Sequence, residues 1–290
     1  MKDQAEALRR RVERLKINHT AQTRHTKVIA VLSGKGGVGK SVFSLNFALG
    51  LHQSGKKTLI IDLDIGMGNI DILLGLHCQH NIVDMIDNQL KIETVITYHE
   101  SGLGVLTGGS GLSDLFKLNE TKFAYFLDQL RELKRHFDFI IFDLGAGMNH
   151  DTLQFVKAVH EILLVTTTEP TALTDAYAVV KITHRYANEI PIRCIINRYD
   201  SEREVKETWA KLSGVSERFL GKNIHFLGAL PRDTAVIKAV KRQKPFLIEE
   251  PRSKISSKLK GLIATYLQDE AVHPETSLDS FIFKLKHLFR

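Results

Sequence analysis

Along most of the chain, short apolar runs alternate with longer stretches in which apolar and polar positions are mixed. The short runs are apolar at nearly every position, which is typical of strands buried on both faces of a parallel sheet. The longer stretches repeat apolar residues every three or four positions, which predicts amphipathic helices such as Lys122–Arg135 and Thr171–Tyr186. Seven strands are predicted in this way: Val28–Leu32, Thr58–Asp62, Gly104–Thr107, Asp138–Asp143, Glu161–Thr166, Ile192–Asn197 and Ile224–Leu230.

This order of elements predicts an α/β fold for residues 27–268. Repeated strand–helix units form a doubly wound, mainly parallel sheet flanked by helices. In such a sheet, ligands bind at the carboxyl ends of the strands. No change in composition divides this region, so we treat it as one domain.

Both ends of the chain are expected to lie outside that domain. Residues 1–26 predict a short basic amphipathic helix followed by a polar linker, and residues 269–278 predict a flexible linker. Residues 279–290 predict an amphipathic helix with lysines largely opposite its apolar face. Such a helix suits the surface of an anionic membrane, although the same pattern fits a helix packed on its own domain. The residues of the apolar face are Phe281, Ile282, Leu285, Leu288 and Phe289.

Composition and charge limit the kinds of partner. The 290 residues are 43% hydrophobic and 25% charged, as in ordinary soluble proteins, and the net charge of +7 favours acidic partners such as anionic lipid or nucleic acid. Two cysteines, Cys78 and Cys194, are too few for a disulfide framework, which favours the cytosol. Because no run approaches the ~20 apolar residues of a membrane span, any membrane contact is expected to be peripheral.

The strongest chemical signal follows the first predicted strand. Residues 34–41 read Gly-Lys-Gly-Gly-Val-Gly-Lys-Ser and fit the phosphate-loop pattern G-x-x-x-x-G-K-[ST], between a strand and a helix. Glycines in such a loop let backbone N–H groups face phosphate oxygens, and the helix N-terminus favours negative charge. Lys40 is expected to reach the β- and γ-phosphates, and the hydroxyl of Ser41 to bind Mg²⁺. The residues assigned to nucleotide binding here are Gly34, Lys35, Gly36, Gly37, Val38, Gly39, Lys40, Ser41 and Val42.

Lys35 is a second lysine in the loop, directly after its first glycine, where an ordinary phosphate loop needs none. The sequence Lys-Gly-Gly-Val-Gly-Lys-Ser resembles the deviant Walker A motif of the MinD/ParA family of ATPases. The resemblance implies that this lysine crosses a nucleotide-sandwich dimer and contacts the phosphates of the partner subunit, much as an arginine finger does. It also implies that ATP promotes the dimer and that hydrolysis requires it.

Three aspartates at the ends of predicted strands are expected near the phosphates. Asp62 and Asp64 follow the second strand, and Asp143 ends the fourth, where an acid followed by glycines is typical of a Walker B motif. We assign Asp62 and Asp143, together with Ser41, to Mg²⁺. Resemblance to the family implies that Asp64 orients the attacking water. The candidate catalytic residues are Lys35, Lys40 and Asp64.

Two further strand ends point to the base of the nucleotide. Asn197 ends the sixth predicted strand, and Pro231 and Asp233 follow the seventh. In the family that the chain resembles, the matching asparagine reads the adenine edge through its amide, and the matching loop closes over the ring. A GTPase would favour an N-K-x-D segment at this position, which is absent, so the expected cofactors are ATP or ADP with Mg²⁺.

The first residues resemble a signature from one branch of the family. Asp3-Gln4-Ala5-Glu6-Ala7-Leu8-Arg9 is similar to the D-Q-A-x-x-L-R segment of the flagellar FlhG/YlxH branch, which binds and stimulates the signal-recognition-type GTPase FlhF. The resemblance implies an ATP-dependent homodimer that is peripheral at the inner face of the cell membrane and otherwise cytoplasmic. It implies control of flagellar number and placement through FlhF and the flagellar switch-complex (C-ring) proteins. The matching residues are Asp3, Gln4, Ala5, Leu8 and Arg9.

Other functions remain open from the sequence. The core motifs do not separate the flagellar branch from division-site regulators of the MinD type, although Leu144-Gly145 departs from the Ser-Pro that is usual in MinD. The basic segment 238–260 suits nonspecific DNA, as in ParA-type partitioning ATPases, but is more typical of a solvated face, and no specific nucleic-acid partner is expected. A non-hydrolysing adaptor is a further alternative. Iron–sulfur relatives carry ligating cysteines near the loop that matches residues 143–147 or in a C-terminal C-x-x-C, and neither is present.

Overall fold

The structure of the chain, a computed structural model, describes residues 26–64, 69–109, 120–270 and 277–288. Within these ranges, eight strands form one sheet, and helices cover both of its faces. The strands are β1 (Lys27–Leu32), β2 (Thr58–Leu63), β3 (Thr97–Tyr98), β4 (Gly104–Thr107), β5 (Phe139–Leu144), β6 (Glu161–Thr167), β7 (Ile192–Tyr199) and β8 (His225–Pro231). The helices are α1 (Lys40–Gln53), α2 (Ile70–Leu74), α3 (Ile82–Asp87), α4 (Ile92–Val95), α5 (Glu120–Glu132), α6 (His150–Ala158), α7 (Pro170–Tyr186), α8 (Glu202–Leu220), α9 (Thr234–Lys241), α10 (Phe246–Glu249), α11 (Lys254–Glu270) and α12 (Leu278–Leu288).

The sheet has the strand order β3-β4-β2-β5-β1-β6-β7-β8. Neighbouring strands are parallel except for β3, which pairs antiparallel with β4. β1 lies in the middle, between β5 and β6. Because its neighbours run in the same direction, the loops after β1, β2, β5, β7 and β8 gather at one edge of the sheet, where ligands bind in doubly wound folds.

Each face of the sheet has its own apolar layer, because side chains alternate along each strand. Val28, Ala30 and Leu32 of β1 face the layer that includes α5, α6, α7, α8 and α12. Ile29 and Val31 face the opposite layer, which includes α1 and the helices α9 to α11. All five side chains are 0% exposed. Burial on both faces explains why β1 is apolar at every position from Val28 to Leu32 rather than at alternate positions.

The terminal helix α12 packs on the domain. It lies against α5, α6 and β1. Phe281 contacts Phe142 of β5 and Phe155 of α6, with ring centroids 5.5 and 6.5 Å apart. The imidazole of His160 lies 2.9 Å from the hydroxyl of Ser280 in α12, which adds a polar contact to the apolar ones.

In this structure α12 takes the packed arrangement that the sequence leaves open beside the membrane one. In this conformation the apolar face assigned to the membrane is covered, because its side chains are buried in the apolar core of the domain. That face consists of Phe281, Ile282 and Leu285, each at most 1% exposed, of Leu288, which is partly buried, and of Phe289, which lies outside the described residues.

Ion pairs extend α11 into residues that the sequence assigns to the flexible linker. Asp269 pairs with Arg193 over 2.8 Å, and Glu270 pairs with Lys27 over 2.5 Å. These pairs join the end of α11 to β7 and β1. The buried Leu278 already belongs to α12. The linker between the two helices is therefore shorter than predicted at both ends.

The seven predicted strands are confirmed to within two residues at each end. The sequence missed β3, a two-residue edge strand without an apolar run. Cys194 is confirmed as a core residue, with 0% exposure. The predicted N-terminal helix and the signature of residues 3–9 lie outside the described residues. Among the helices of the described ranges, none combines the length and the apolar character that crossing a membrane requires.

Candidate nucleotide site

The phosphate loop joins β1 to α1 at the carboxyl edge of the sheet. Gly39, the N-cap of α1, has a φ of 90°, in the left-handed region that favours glycine, and a Cβ there would lie 2.5 Å from Asn197 Nδ2. A Cβ on Gly34 would lie 2.2 Å from the backbone of Asp175 in α7. No side chain of the described residues caps α1, so its first N–H groups are left for an anion.

Lys40 forms a buried ion pair beneath the loop. Its Nζ donates to Asp143 Oδ1 over 2.9 Å, and the hydroxyl of Ser44, one turn further along α1, donates to the same oxygen over 2.6 Å. Lys40 is 6% exposed and Asp143 is 0% exposed. Asp143 Oδ2 is also buried and has no hydrogen-bond partner among the described residues. A buried carboxylate oxygen without a donor suits a hard cation or its bound water.

Asp62 lies beside Asp143, as its register partner on the neighbouring strand. Its two oxygens accept the backbone N–H groups of Asp64 and Ile70 over 3.0 and 3.1 Å. Burial and, secondly, the charge of Asp143 raise the pKa of Asp62 to about 6. Two adjacent carboxylates fit a divalent cation, whose charge offsets their mutual repulsion.

Asp64 lies close to Lys40 and lines the neighbouring cavity. Its Oδ2 is 3.6 Å from Lys40 Nζ, and a Cβ on Gly145 would lie 3.1 Å from its Oδ1. Asp64, Ser41 and Gly145 line a cavity of about 660 Å³ that also includes glycines of the phosphate loop. The structure thus brings together the predicted phosphate, metal and water-positioning side chains. Residues 65–68 of the same loop lie outside the described ranges.

Lys35 points away from this cluster. Its Nζ donates to the hydroxyl of Thr171 over 3.1 Å and lies 3.5 Å from Glu169, at the N-terminus of α7. The side chain of Lys35 is 43% exposed. Lys35 does not line the phosphate cavity of its own chain.

A second cavity, of about 280 Å³, adjoins the first on the side of β7 and β8. The predicted base residues Asn197, Pro231 and Asp233 line it together with apolar side chains, a composition that suits a flat ring. The amide of Asn197 donates from Nδ2 to Val38 O over 2.8 Å and accepts the N–H of Arg198 at Oδ1 over 3.0 Å. One N–H and one lone pair of this amide remain for a base.

The carboxylate of Asp233 acts on the protein backbone. Oδ1 accepts the N–H of Ala235 over 2.9 Å and caps α9, and Oδ2 accepts the N–H of Ile255 over 3.2 Å at the start of α11. Asp233 therefore fixes the loop beside the base cavity through these two hydrogen bonds.

Sequence reasoning missed three residues of the site. Ser44 donates a hydrogen bond to Asp143 and lies four positions after Lys40. That spacing places both residues on one face of a helix and is the signal that could have identified Ser44. Asn149 lines the phosphate cavity and caps α6 by accepting the N–H of Thr152 over 2.7 Å, and an asparagine before a helical pattern is a known cap signal. Arg198 lines both cavities, and an arginine at a strand end gave no signal.

The basic segment 238–260 is partly neutralised by acidic side chains. This reduces the positive charge that the segment can offer to the phosphate backbone of DNA. Three of its cations form ion pairs: Lys238 with Glu250, Arg242 with Glu249, and Lys258 with Glu202.

Comparison with known proteins decides the family. Residues 24–267 match the family model ParA, described as NUBPL iron-transfer P-loop NTPase. The chain belongs to the ParA/MinD family of P-loop NTPases. As a member of this family, the chain is an ATPase. The family description names iron transfer, but this ParA/MinD chain has only the separate cysteines Cys78 and Cys194, and the second is buried in β7.

Among its relatives, the antiactivator FleN of Pseudomonas aeruginosa is 34% identical over 236 residues, which are 81% of this chain and 84% of FleN. The flagellum site-determining protein YlxH of Helicobacter pylori is 32% identical over 267 residues, 90% of each chain. Among solved structures, MinD of Pyrococcus horikoshii complexed with Mg-ADP superposes with a TM-score of 0.68. That match has 23% identity and covers 85% of this chain and 98% of the MinD chain, so it supports the fold alone.

Proposed function

We propose that this ATPase is a nucleotide-dependent switch that regulates the number and placement of flagella. The observation that carries the proposal is the similarity to YlxH, which is named a flagellum site-determining protein and aligns over 90% of both chains. FleN, named an antiactivator, adds a second relative of comparable identity. The segment from Asp3 to Arg9, similar to the signature of the flagellar branch, supports the same assignment.

Mg²⁺ is part of this proposal, held by Ser41, Asp62 and Asp143. The unpartnered Asp143 Oδ2 and the like charges of the two adjacent aspartates support it. Within the described ranges there is no cluster of three or more His, Cys, Asp or Glu side chains suited to a metal. Two carboxylates and a hydroxyl suffice here, because Mg²⁺ takes its other ligands from phosphate and water.

The switch is expected to be a homodimer in its ATP form, with Lys35 of each chain serving the nucleotide of the other. The outward direction of Lys35 and its exposure support this, since the side chain does not line its own phosphate cavity. Sedimentation velocity with ATP tests it. Asp64→Ala should form a stable dimer, because hydrolysis is blocked after assembly. Lys35→Ala should remain monomeric, whereas Lys56→Ala, which removes another exposed lysine, should dimerise as the parent chain does. If Lys35→Ala dimerises as well as Lys56→Ala, Lys35 does not act across the dimer.

Membrane association is proposed to depend on release of α12. The helix has an apolar face and a cationic side, as interfacial helices have, and that apolar face is covered while the helix is docked. ATP-driven dimerisation would release two such helices at once. Two weak anchors on one particle bind much more tightly than one, often by about 100-fold.

Co-sedimentation with vesicles of anionic lipid tests the anchor and the switch together. The full chain and a chain ending at Ser277 are compared in ATP and in ADP. Pelleting of the full chain in ATP alone, with no pelleting of the truncated chain, is the expected result. Equal pelleting in both nucleotides would remove the nucleotide control, and pelleting of the truncated chain would remove α12 as the anchor.

Stimulation of the GTPase FlhF by the N-terminal segment is the proposed link to flagella. Gln4 lies within the signature, whereas Gln22 lies outside it in the same N-terminal region. Gln4→Ala should lose stimulation of FlhF GTP hydrolysis, and Gln22→Ala should retain it. If both variants stimulate FlhF as the parent chain does, the signature is not the point of contact.

A further inference from the structure

Two consecutive residues at the end of β7 hold two consecutive carbonyls of the phosphate loop. Asn197 Nδ2 donates to Val38 O over 2.8 Å, and Arg198 Nη1 donates to Gly37 O over 2.6 Å. The asparagine is buried and its hydrogen bond lies inside the protein, whereas the arginine reaches the loop from the solvent side. The loop is therefore fixed from two directions by one strand end.

The backbone of β7 is distorted where it makes these contacts. Arg198 has a φ of 57°, a left-handed conformation that a residue with a side chain adopts only at a cost of roughly 1 kcal/mol or more. The pairing of β7 with β8 also shifts register between Asn197 and Tyr199. Irregularities of this kind redirect side chains and are frequent beside ligand sites. Here the distortion is what allows adjacent side chains to reach the same loop.

The geometry of the peptide bond gives this clamp a consequence for the ligand. In a trans peptide the C=O of one residue and the N–H of the next point in opposite directions. Holding Gly37 O therefore directs the N–H of Val38 away from β7, and holding Val38 O does the same for the N–H of Gly39. N–H groups turned away from β7 in this way are free to donate to phosphate oxygens, which a phosphate loop binds through its backbone.

We propose that Arg198 is a positioning residue for nucleotide binding. Together with Asn197 it forms a clamp on the Gly37 and Val38 carbonyls, and the clamp presets the N–H groups of the phosphate loop for the phosphates of a nucleoside di- or triphosphate. The clamp acts on the loop itself, so ATP and ADP depend on it equally. It leaves the hydrolysis step to other groups, so its loss raises KM and leaves kcat nearly unchanged.

Calorimetric titration with ADP and steady-state hydrolysis of ATP test the clamp. Arg198→Ala should weaken ADP binding and raise KM by about 10-fold each, the size expected for one hydrogen bond from a charged group. Arg198→Lys should recover part of the loss, because the lysine ammonium can donate to the Gly37 carbonyl but lacks the planar, rigid guanidinium group of arginine. Arg203→Ala, which removes an exposed arginine from α8, is the charge-matched control and should bind ADP as the parent chain does.

Two further measurements separate the clamp from a general effect on folding. Arg198→Gly removes the guanidinium and also relieves the left-handed strain, so it should bind ADP as weakly as Arg198→Ala while melting at a higher temperature. Amide hydrogen exchange at Val38 and Gly39 should accelerate in nucleotide-free Arg198→Ala and stay unchanged in Arg203→Ala. The proposal is overturned if Arg198→Ala binds ADP normally. It is also overturned if only ATP is affected, or if kcat falls at unchanged KM, since either result would assign the guanidinium to the reaction instead.

Discussion

Lys40 Nζ lies 2.9 Å from Asp143 Oδ1, in an ion pair that solvent hardly reaches. The lysine therefore stabilises the nucleotide-free domain, in addition to its predicted role in binding phosphate. Among the described residues, Lys40→Ala leaves the charge of Asp143 with the Ser44 hydroxyl as its remaining side-chain donor, and breaking a buried pair in this way typically costs roughly 3 kcal/mol. Urea unfolding without nucleotide should show a loss of that size.

The double variant Lys40→Ala/Asp143→Asn is the control for this prediction. It removes the unpaired charge together with its partner, so it should recover more than half of the lost free energy of unfolding. Equal stability of Lys40→Ala and the parent chain would mean that the pair contributes only to ligand binding.

The absence of a side chain at Gly145 leaves room for the carboxylate of Asp64. A Cβ on Gly145 would lie 3.1 Å from Asp64 Oδ1, closer than ordinary contact, so the carboxylate would have to move by a few tenths of an ångström. If Asp64 orients the attacking water, Gly145→Ala should lower kcat by about 10-fold while KM stays nearly unchanged, because misplacement of a reacting group costs rate more than binding. Steady-state ATP hydrolysis measures both constants.

Gly214→Ala provides the matched control, since a Cβ on that helical glycine meets nothing within 4 Å. Its kcat should equal that of the parent chain, and its stability should rise slightly because alanine favours a helix. A normal kcat in Gly145→Ala would show that Asp64 adjusts freely or is not needed where it lies.

The sequence predicted the strands well because the central ones are buried on both faces and are therefore apolar at nearly every position. The edge strand β8 is partly exposed but still carries an apolar run. It predicted the phosphate loop and the strand-end aspartates because their spacing along the chain is itself the chemical signal. It failed where the answer depends on distant partners. Asp269 and Glu270 look like linker residues until Arg193 and Lys27 are brought beside them by the sheet. Arg198 looks like an ordinary surface arginine, since neither its left-handed backbone nor its contact with Gly37 leaves a periodic trace.

The terminal helix illustrates a different limit. One apolar face fits both a membrane surface and the core of the domain, so periodicity alone gives no choice between them. The structure adds that Phe281 packs against both Phe142 and Phe155 and that Ser280 contacts His160. These contacts describe the docked helix and leave its membrane role as a proposal.

Protonation of His160 should weaken docking of α12. Its Nδ1 accepts the N–H of Val28 over 2.9 Å, so the proton of the neutral ring is on Nε2, facing Ser280 Oγ. Burial, followed by the charges of Lys284 and Lys27, lowers the pKa of His160 to about 4. Because the docked form resists the proton that the unfolded form binds near pH 6.5, stability is complete above that pH and is lost as pH falls towards 4.

Urea unfolding at pH 7.5 and pH 5.5 tests the predicted direction of this pH dependence of stability. The His160 contribution to the free energy of unfolding should fall by about 1 kcal/mol between the two. Other groups titrate as well, so the quantity to compare is the difference between the parent chain and His160→Gln, which has no titrating ring. A difference that is the same at both pH values would exclude His160 from the pH dependence.

Phe281 and Phe283 form a matched pair for measuring the docking of α12. Phe281 is 0% exposed and Phe283 is 62% exposed on the same helix. Phe281→Ala removes a buried ring, which typically costs about 3 kcal/mol or more, so the helix should open far more often. Hydrogen exchange of the α12 amides should accelerate by about 100-fold in Phe281→Ala and hardly change in Phe283→Ala. Equal acceleration in both variants would mean that the helix is not held by its buried face.

Mixing two inactive variants tests whether Lys35 acts across the dimer. Lys35→Ala lacks the lysine that is proposed to serve the partner, and Asp64→Ala lacks the acid that is proposed to serve its own nucleotide, so each alone should be inactive. In a mixed dimer, one site keeps Asp64 and receives Lys35 from the partner, while the other site has neither. Equal amounts of the two variants should therefore recover part of the parent activity. Random pairing would give about a quarter, because half of the dimers would be mixed with one working site each, and less is expected because a mixed dimer keeps only one of its two crossing lysines. If Lys35 served its own chain instead, the Lys35→Ala chain would lack the lysine and the Asp64→Ala chain would lack the acid in every dimer, and mixing would recover nothing.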